Sequence, residues 1–242
     1  MTTDPRFYDV VDATWPAARM MACGPFTLRE GQGGGSRVSA ATLEAEQASG
    51  EEIAAAEQAM RDLGQAPKFI IRDGQDGFDA QLDGLGYQVL DPVNIWACPA
   101  AQLTDVAIPR VTTFAVWEPL QICREIWNEG GIGPERQAIM ERADVPKVAL
   151  LGRHRDKPAG AGFCGVHDSI AMVHALEILP HQRRQGMGAW MMRQAAFWAV
   201  EQGAETLSVI CTKRNDGANG LYASLGMECV GQYHYRHKPD AT

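Results

Sequence analysis

An internal repeat is the sequence feature that most constrains how this chain can fold. Residue 76 has its counterpart at residue 216, and the same offset of 140 residues matches two further segments. The matched segments are Asp76-Gly77 with Asp216-Gly217, Phe69-Ile70-Ile71 with Val209-Ile210-Cys211, and Leu85-Gly86 with Leu225-Gly226. Each copy has the pattern of a strand, a helix, a Leu-Gly turn and a second strand, which indicates duplication. The alternative is a chance agreement between two ordinary strand–helix–strand units.

The periodicity of apolar residues predicts a mixed α/β fold with two related halves. We predict a smaller N-terminal half over residues 1–98, a proline-containing linker over 99–111, and a second half over 112–242. Predicted helices cover 51–63, 78–85, 120–128, 134–144, 184–202 and 216–225. Predicted strands cover 26–30, 37–41, 68–72, 87–98, 148–153, 159–166, 170–179, 206–212 and 227–236. The glycine-rich stretch 31–36 lacks the spacing of a phosphate-binding loop, so it is interpreted as a hairpin tip.

Composition limits the classes of partner. The chain has 242 residues, of which 45% are hydrophobic, so it can bury a sizeable core. Its formal net charge of −8 opposes general binding to nucleic acid or to anionic membranes. The same charge weakly favours a cationic small-molecule or peptide partner. No nucleic-acid or membrane partner is expected.

The six cysteines are spread along the chain without a CxxC pair or zinc-ligand spacing. Most have apolar neighbours, so we interpret them as buried free thiols in a reducing compartment. No bound metal is expected. The N-terminus lacks the pattern of a signal peptide, and the chain has no run of 18 apolar residues. These features predict a cytoplasmic protein.

The segment from Leu176 to Trp190 carries the strongest chemical signal. A β-type run stops at Pro180, and Gly186 and Gly188 then open a helix. Helix N-termini leave backbone N–H groups unpaired, and glycines let an anion approach that backbone. The preceding Arg183-Arg184 pair adds positive charge in an acidic chain. The pattern indicates an anion site, and the alternative is a plain tight turn with solvated arginines.

Two motifs in the second half resemble those of the GNAT superfamily of N-acetyltransferases. The segment Arg183–Gly188 matches the pattern Q/R-x-x-G-x-G/A, which is that family's acetyl-CoA pyrophosphate loop. The segment Asn215–Met227 is similar to the family signature N-x-x-A-x-x-L-Y-x-x-L-G-F, with methionine in place of the final phenylalanine. The resemblance covers about residues 112–236. The first half resembles the family only in its architecture, as the degenerate member of a tandem pair would.

The resemblance implies a central mixed sheet in which two parallel strands, 170–179 and 206–212, splay apart to admit acetyl-CoA. It assigns the pantetheine amides to the backbone at Ile178 and the pantetheine arm to Asn215. It assigns the pyrophosphate to the loop and helix start, namely Arg183, Arg184, Gln185, Gly186, Met187, Gly188 and Ala189. Family members transfer the acetyl group directly to a primary amine, so no cysteine nucleophile is needed.

Two proton transfers then need residues. Tyr222 matches the family's usual acid, and an unperturbed tyrosine has a pKa of about 10, so it can protonate the departing thiolate. Glu177 is the first candidate base, because simple alternation places it on an apolar strand face with Ala171, Val173 and Ala175. His174 would then lie on the opposite face. His174, a water chain or a residue of the first half stays open as an alternative base.

At the same offset, the phosphate loop falls on Leu43–Ala48, which has no glycine and two acidic residues. One acetyl-CoA site per chain is therefore expected. We expect the first half to shape the acceptor pocket or a homodimer contact, with Trp15, Arg29 and Arg37 as its most distinctive residues. The alternative class is a non-catalytic acyl-CoA sensor or scaffold, which retention of Tyr222 and Glu177 argues against.

Overall fold

A computed structural model describes residues 3–239, and all eleven strands in this part of the chain belong to one sheet. The strands are β1 (Arg19–Cys23), β2 (Phe26–Glu30), β3 (Ala41–Leu43), β4 (Lys68–Arg72), β5 (Gln88–Pro99), β6 (Thr113–Val116), β7 (Lys147–His154), β8 (Lys157–His167), β9 (Ile170–Ile178), β10 (Thr206–Thr212) and β11 (Glu228–His237). The helices are α1 (Arg6–Thr14), α2 (Gly50–Asp62), α3 (Asp76–Gly84), α4 (Gln121–Glu129), α5 (Pro134–Arg142), α6 (Met187–Glu201) and α7 (Asp216–Ser224). The predicted mixed α/β class is confirmed.

The two halves exchange strands at the centre of the sheet. The order is β1-β2-β3-β4-β11-β5-β10-β9-β8-β7-β6. Strand β5 pairs antiparallel with β10 on one side and with β11 on the other, and β11 also pairs antiparallel with β4. The last strand of the first half therefore separates the last two strands of the second half. The predicted boundaries 1–98 and 112–242 stay predictions, and the sheet crosses them. Their outer ends, residues 1–2 and 240–242, lie outside the described residues.

The repeat seen in the sequence recurs in the topology. Strands β3 and β4 are parallel, as are β9 and β10, and each pair continues outward through antiparallel neighbours. Helix α3 begins at residue 76 and α7 at residue 216, and each is nine residues long. Both end in the same turn, with Gly86 at φ +82° and Gly226 at φ +72°, a backbone region that favours glycine.

Most predicted elements are present, and the exceptions have simple causes. The predicted strand over 37–41 is wrong, because 36–38 form a turn of 3₁₀ helix and β3 begins only at Ala41. Helix α6 begins three residues later than predicted, since Arg184 and Gly186 both have positive φ, which a right-handed helix excludes. Helix α1 and strands β1, β3 and β6 were not predicted. The outermost strands β1 and β6 are short and mostly exposed, so their sequences show little alternation of apolar and polar residues.

Two apolar layers enclose the sheet of the second half. Helix α6 covers one face, with Met187, Met191 and Ala195 among its buried residues. Helices α4 and α5 cover the opposite face, where Trp127 and Phe163 are fully buried. Within residues 3–239, no helix combines the length and the apolar character needed to span a bilayer.

Candidate active site

A cleft opens where two parallel strands separate. Strands β9 and β10 pair from Ile170 with Thr206 as far as Val173 with Val209, and both continue beyond that point without pairing to each other. Ala175, just past the last pair, has φ +50°. The splay predicted between these strands is therefore present, and it starts at a local distortion of β9.

That distortion is a β-bulge, and it changes which side chains share a face. Across β8 and β9, Ala161 lies opposite Glu177, whereas Phe163 lies opposite His174. Ala161 and Phe163 are two residues apart and share a face, so Glu177 and His174 also share one. The expectation that Glu177 lies on the face of Val173 is wrong, because the bulge inserts one residue between them.

The cleft has a volume of about 640 Å³ and lies between β9, the start of α6 and α7. Eleven positions were predicted as site residues, and all but Gln185 line it. The lining residues among them are Glu177, Ile178, Arg183, Arg184, Gly186, Met187, Gly188, Ala189, Asn215 and Tyr222. The side chain of Gln185 instead donates to the carbonyl oxygen of His181 at 3.1 Å.

The N-terminus of α6 faces this cleft without a cap. Gly186 occupies the N-cap position in the left-handed region, and no side chain accepts a hydrogen bond from the first turn. The equivalent helix α2 has a complete capping box, in which Ser49 and Glu52 satisfy each other's backbone N–H groups. The unpaired amides of α6 and their partial positive charge suit an anionic ligand.

Gly188 is required by close packing as well as by access. A Cβ atom at this position would lie 2.8 Å from Cδ2 of Leu221 on α7. The first turn of α6 and the middle of α7 therefore approach each other through the missing side chain. This contact holds the start of α6 against α7 beside the cleft.

Arg183 donates hydrogen bonds to two groups in the wall of the cleft. Its Nε donates to the carbonyl oxygen of Ile178 at 2.9 Å, and its Nη2 donates to Oε1 of Glu177 at 3.0 Å. The Glu177 carboxylate is mostly buried, whereas the Arg183 side chain is largely exposed. The backbone acceptor assigned to the pantetheine is thus engaged by an arginine that is free to move into solvent.

Tyr222 lies at the inner end of the cleft and is almost fully buried. Its ring centroid is 6.4 Å from that of Trp96, a residue of the first half. Burial, with a smaller contribution from Cys211, raises the pKa of the Tyr222 hydroxyl well above its ordinary value. No group within residues 3–239 hydrogen-bonds this hydroxyl, so it is protonated at neutral pH and free to donate.

His174 is buried against the first half and has no free ring nitrogen. Its Nδ1 lies 3.0 Å from Nη1 of Arg37, and its Nε2 lies 2.8 Å from Oγ1 of Thr14. The guanidinium can only donate, so the network assigns the ring proton to Nε2. The hydroxyl of Thr14 accepts from Nε2 and donates its own hydrogen bond to the carbonyl oxygen of Val10. Burial and the nearby Arg37 lower the pKa of His174 well below its usual range. This neutral, doubly bonded imidazole is unsuited to act as a base.

Two asparagines on α7 organise the other wall. Oδ1 of Asn215 accepts from the backbone N–H of Ala218 at 3.1 Å, so this residue caps the helix as well as lining the cleft. Asn219, which sequence reasoning missed, accepts from Asn94 and Trp96 on β5, both at 3.0 Å. Its position in the repeat was a usable signal, because its counterpart 140 residues earlier is Asp79, another polar residue of the same helix.

Most of the cysteines are disfavoured as nucleophiles by burial. All six are free thiols, and three are buried, while Cys229 is exposed, contrary to the expectation of general burial. Burial raises the pKa of Cys98, Cys123 and Cys211 to about 11, which disfavours the reactive thiolate. Within residues 3–239, no cluster of three or more His, Cys, Asp or Glu side chains is arranged to hold a metal ion.

Comparison with known proteins agrees with this geometry. Residues 116–227 match the model of the acetyltransferase (GNAT) family. Residues 116–227 therefore form a GNAT acetyltransferase domain. A protein from Bacillus subtilis (strain 168) described as the uncharacterized N-acetyltransferase YobR is 24% identical over 236 residues, which are 93% of this chain and 95% of that protein.

Solved structures show the same fold. A GCN5-related N-acetyltransferase from Kribbella flavida superposes with a TM-score of 0.70 at 19% identity, over 100% of this chain and 97% of that chain. A tandem GNAT protein from the clavulanic acid biosynthesis pathway superposes with a TM-score of 0.62 at 10% identity, over 81% of this chain and 74% of that chain. The GNAT fold thus extends beyond the segment that the family model covers.

Proposed function

We propose that this GNAT protein is an acetyl-CoA-dependent N-acetyltransferase that transfers the acetyl group directly to a primary amine of a small molecule or peptide. The observation that carries the proposal is the uncapped start of α6 at the mouth of a cleft between splayed strands. These donors fit a pyrophosphate, and the close approach at Gly188 leaves the backbone accessible to it.

The cofactor would be held by the loop and helix start. Backbone amides from Arg184 to Ala189 receive the pyrophosphate, and the side chains of Arg183 and Arg184 add positive charge. The carbonyl of Ile178 accepts from a pantetheine amide, which requires Arg183 to leave its present position. In this proposal, cofactor binding therefore also frees the carboxylate of Glu177 from its ion pair.

The proposed chemistry is one acyl transfer with two proton movements. The amine nitrogen forms a bond to the thioester carbonyl carbon, and the carbon–sulfur bond breaks. Tyr222 donates its proton to the leaving sulfur, and Glu177 takes the proton that the amine loses. Burial keeps Tyr222 protonated, and its missing hydrogen-bond partner leaves the hydroxyl available.

The bulge in β9 turns Glu177 toward the α4 side of the sheet, which supports an acceptor that enters from that side. Glu177 lies against the end of α4, since a Cβ atom on Gly130 would be 2.6 Å from its Cγ. The cofactor fills the α6–α7 side of the gap. An amine arriving through the opposite face would meet the carboxylate first and the thioester next.

We also propose that the first half is a degenerate GNAT repeat with no acetyl-CoA site. The repeated topology supports this, as does the likeness to a structure described as a tandem GNAT protein. The capping box of α2 fills the position that corresponds to the open helix end of α6. The first half would then serve packing and the acceptor pocket.

Release of free thiol from acetyl-CoA across a panel of amines tests the proposed function. A transferase releases thiol in proportion to an acetylated amine product, and Tyr222→Phe slows that release. An acyl-CoA sensor would bind acetyl-CoA with no amine-dependent release from any member of the panel. That result, with the cofactor bound, would contradict the enzymatic proposal.

A further inference from the structure

A small cavity on the α1 face of the sheet is lined by three arginines. It has a volume of about 20 Å³ and is separate from the cleft. The arginines are Arg29 on β2, Arg37 in the turn before β3, and Arg72 on β4. The other lining residues are Tyr8, Val11, Asp12, Ile70 and Tyr233. Three guanidinium groups and one carboxylate therefore meet at one small space in a chain whose net charge is −8.

The only carboxylate on the cavity wall, that of Asp12, is paired with Arg29. The Nη2 of Arg29 donates to Oδ2 of Asp12 at 2.6 Å, and its Nε donates to Oδ1 at 3.0 Å. Its Nη1 donates to Oγ1 of Thr42 at 2.6 Å and to the carbonyl of Ala40 at 3.2 Å. The fully buried Arg29 is therefore compensated both in charge and in hydrogen bonds.

Arg37 and Arg72 are compensated only in part. The Nε atom of each is buried without a hydrogen-bond partner among residues 3–239, and neither side chain forms an ion pair there. The Arg72 guanidinium lies 4.5 Å from the ring centroid of Tyr8, and that of Arg37 lies 5.8 Å from the ring of Trp15. Aromatic faces attract these cations but do not accept their in-plane N–H groups.

A buried N–H group without an acceptor carries a cost, and a bound anion removes that cost. The cavity volume admits about one water-sized group, which excludes a bulky ligand but suits the end of a carboxylate. Carboxylates also match the planar fork of arginine better than spherical ions do. The size admits one carboxylate oxygen or one water molecule, and the positive charge favours the carboxylate.

Arg37 lines the cavity and also contacts the strand that borders the cleft. The Nη1 of this residue donates to His174, which immediately precedes Ala175 at the bulge where β9 leaves β10. The same guanidinium therefore reaches from the cavity to the acceptor side of the strand gap. A carboxylate bound in the cavity would therefore be one side chain, that of Arg37, away from this strand.

We propose that the cavity between Arg37 and Arg72 binds a carboxylate, supplied by the acceptor amine or by a free small acid. The acceptor as the source rests on the proposed function, whereas the anion site does not. The test therefore begins with the full-length protein in the absence of acetyl-CoA. Acetate is the probe, titrated at constant ionic strength.

The first arm follows the arginine Nε–H resonances of the wild-type protein by NMR with ¹⁵N-arginine. Two resonances, assigned to Arg37 and Arg72 by substitution, should shift saturably with acetate. Arg72→Gln should weaken acetate binding at least tenfold, and the exposed Arg155→Gln serves as the matched control with unchanged binding. Absence of any saturable shift in the wild type, which needs no variant to fold, would overturn the proposal. Equal acetate affinity in Arg72→Gln and Arg155→Gln would overturn it as well.

The second arm identifies the source of the carboxylate. Amines with a carboxylate are compared with their carboxamide twins, both as competitors of acetate and as acetyl acceptors. If the acceptor supplies the carboxylate, only the acids displace acetate, and Arg72→Gln raises their KM at least tenfold with kcat little changed. If acetate binds at the two arginines but no amine displaces it, the site is assigned to a free acid. A protein that binds acetate but acetylates nothing would retain the anion site and lose the proposed function.

Discussion

Each half of this molecule binds the strand that it receives from the other half through a polar contact. The two contacts lie at equivalent positions of the repeat, but their chemistry differs. In the first half, Asp79 on α3 accepts hydrogen bonds from His234 at 2.8 Å and from Nε of Arg236 at 2.7 Å, both on β11. Arg236 also binds Asp83, so this contact is ionic. The hydrogen bond from Arg236 is the main cause that lowers the pKa of Asp79 below its usual value.

In the second half, the same positions are neutral. Asn219 on α7 accepts from Asn94 and Trp96 on β5, and each of these residues lies 140 residues from its counterpart in the other contact. The Nδ2 of Asn219 also donates to the carbonyls of Thr212 and Asn215 at 3.0 and 2.8 Å. An amide can accept from one strand and also donate to the cleft wall, which the carboxylate of Asp79 cannot do. The comparison shows how the contact that joins the halves also shapes the cleft in the second half.

A second difference between the two halves concerns the protein groups that are available to a ligand. The counterpart of Tyr222 in the first half is Leu82, which is fully buried and has no proton to donate. Helices α2 and α6 begin at residues 50 and 187, so the repeat slips by three residues in the loop before them. Ser49 and Glu52 fill the helix end in the first half, where the second half leaves it open. The scaffold is repeated, whereas the features suited to a cofactor are not.

Separating the halves should have the largest effect. A fragment of residues 105–242 lacks β5, which normally lies between β10 and β11, and it also lacks the β4 partner of β11. We expect it to aggregate or remain unfolded by circular dichroism, because it exposes a central strand edge and apolar surface. Co-expression with residues 1–104 should restore a soluble complex. A soluble, fully active fragment would refute the structural role of the exchange.

Tyr222→Phe should lower kcat by about 10²-fold while acetyl-CoA affinity stays nearly unchanged. The hydroxyl is needed when the thiolate leaves, and no described group depends on it in the resting protein. Tyr87→Phe in the first half is the control, since it removes a buried hydroxyl bonded to Glu57. It should leave kcat unchanged in steady-state assays. A kcat within a few-fold of wild type for Tyr222→Phe would mean that water protonates the thiolate.

Gly188→Asp should weaken acetyl-CoA binding at least tenfold by calorimetry. The new side chain meets Leu221, and its carboxylate opposes a pyrophosphate at the open helix end, where each charge-assisted contact is worth about 1.5–3 kcal/mol. Gly50→Asp is the matched change at the start of α2, where an added Cβ has no neighbour within 4 Å. It should leave binding unchanged. Unaltered affinity in a folded Gly188→Asp protein would remove the site assignment.

Exchanging the polar groups of the two strand contacts should have a smaller effect, on stability. Asn219→Asp turns a donor toward the carbonyls of Thr212 and Asn215 into an acceptor, and Asp79→Asn removes the charge opposite Arg236. Each should cost about 1–3 kcal/mol in the free energy of unfolding, measured with urea. Since the pKa of Asp79 is lowered in the folded state, its contribution is present above pH about 4 and is lost as the pH falls further. Asp79→Asn should therefore reduce the loss of unfolding free energy at acid pH. An unchanged dependence of the unfolding free energy on pH would contradict the ionic nature of this contact.

Much of this comparison was accessible from the sequence. The 140-residue offset predicted two strand–helix–strand units, and the glycines at 186 and 188 predicted an open helix start. Each unit and the helix start are encoded in a short stretch of sequence, so they can be identified from the local pattern. The bulge at Ala175 was not predictable, since Ala171, Val173 and Ala175 alternate as a regular strand would. As a result, the sequence pattern assigned Glu177 to the wrong face of β9. Local pattern carries no information on an inserted residue that tertiary packing stabilises.

Contacts between distant segments were equally hidden. The strand exchange, the engagement of His174 by Thr14 and Arg37, and the meeting of Arg37 with Arg72 all join residues far apart in sequence. Arg37 stood out as a distinctive residue of the first half, but its partners did not. Single-sequence patterns identify residue types suited to chemistry and leave their long-range partners undetermined.

The stoichiometry of acetyl-CoA binding tests the central claim most directly. Calorimetric titration of the intact protein should give one site per chain, because only the second half has an uncapped helix end beside a cleft among the described residues. Gly188→Asp should remove that site, and Gly50→Asp should not. Two equivalent sites per chain would contradict the account, since the first half would then bind the cofactor despite its closed helix end.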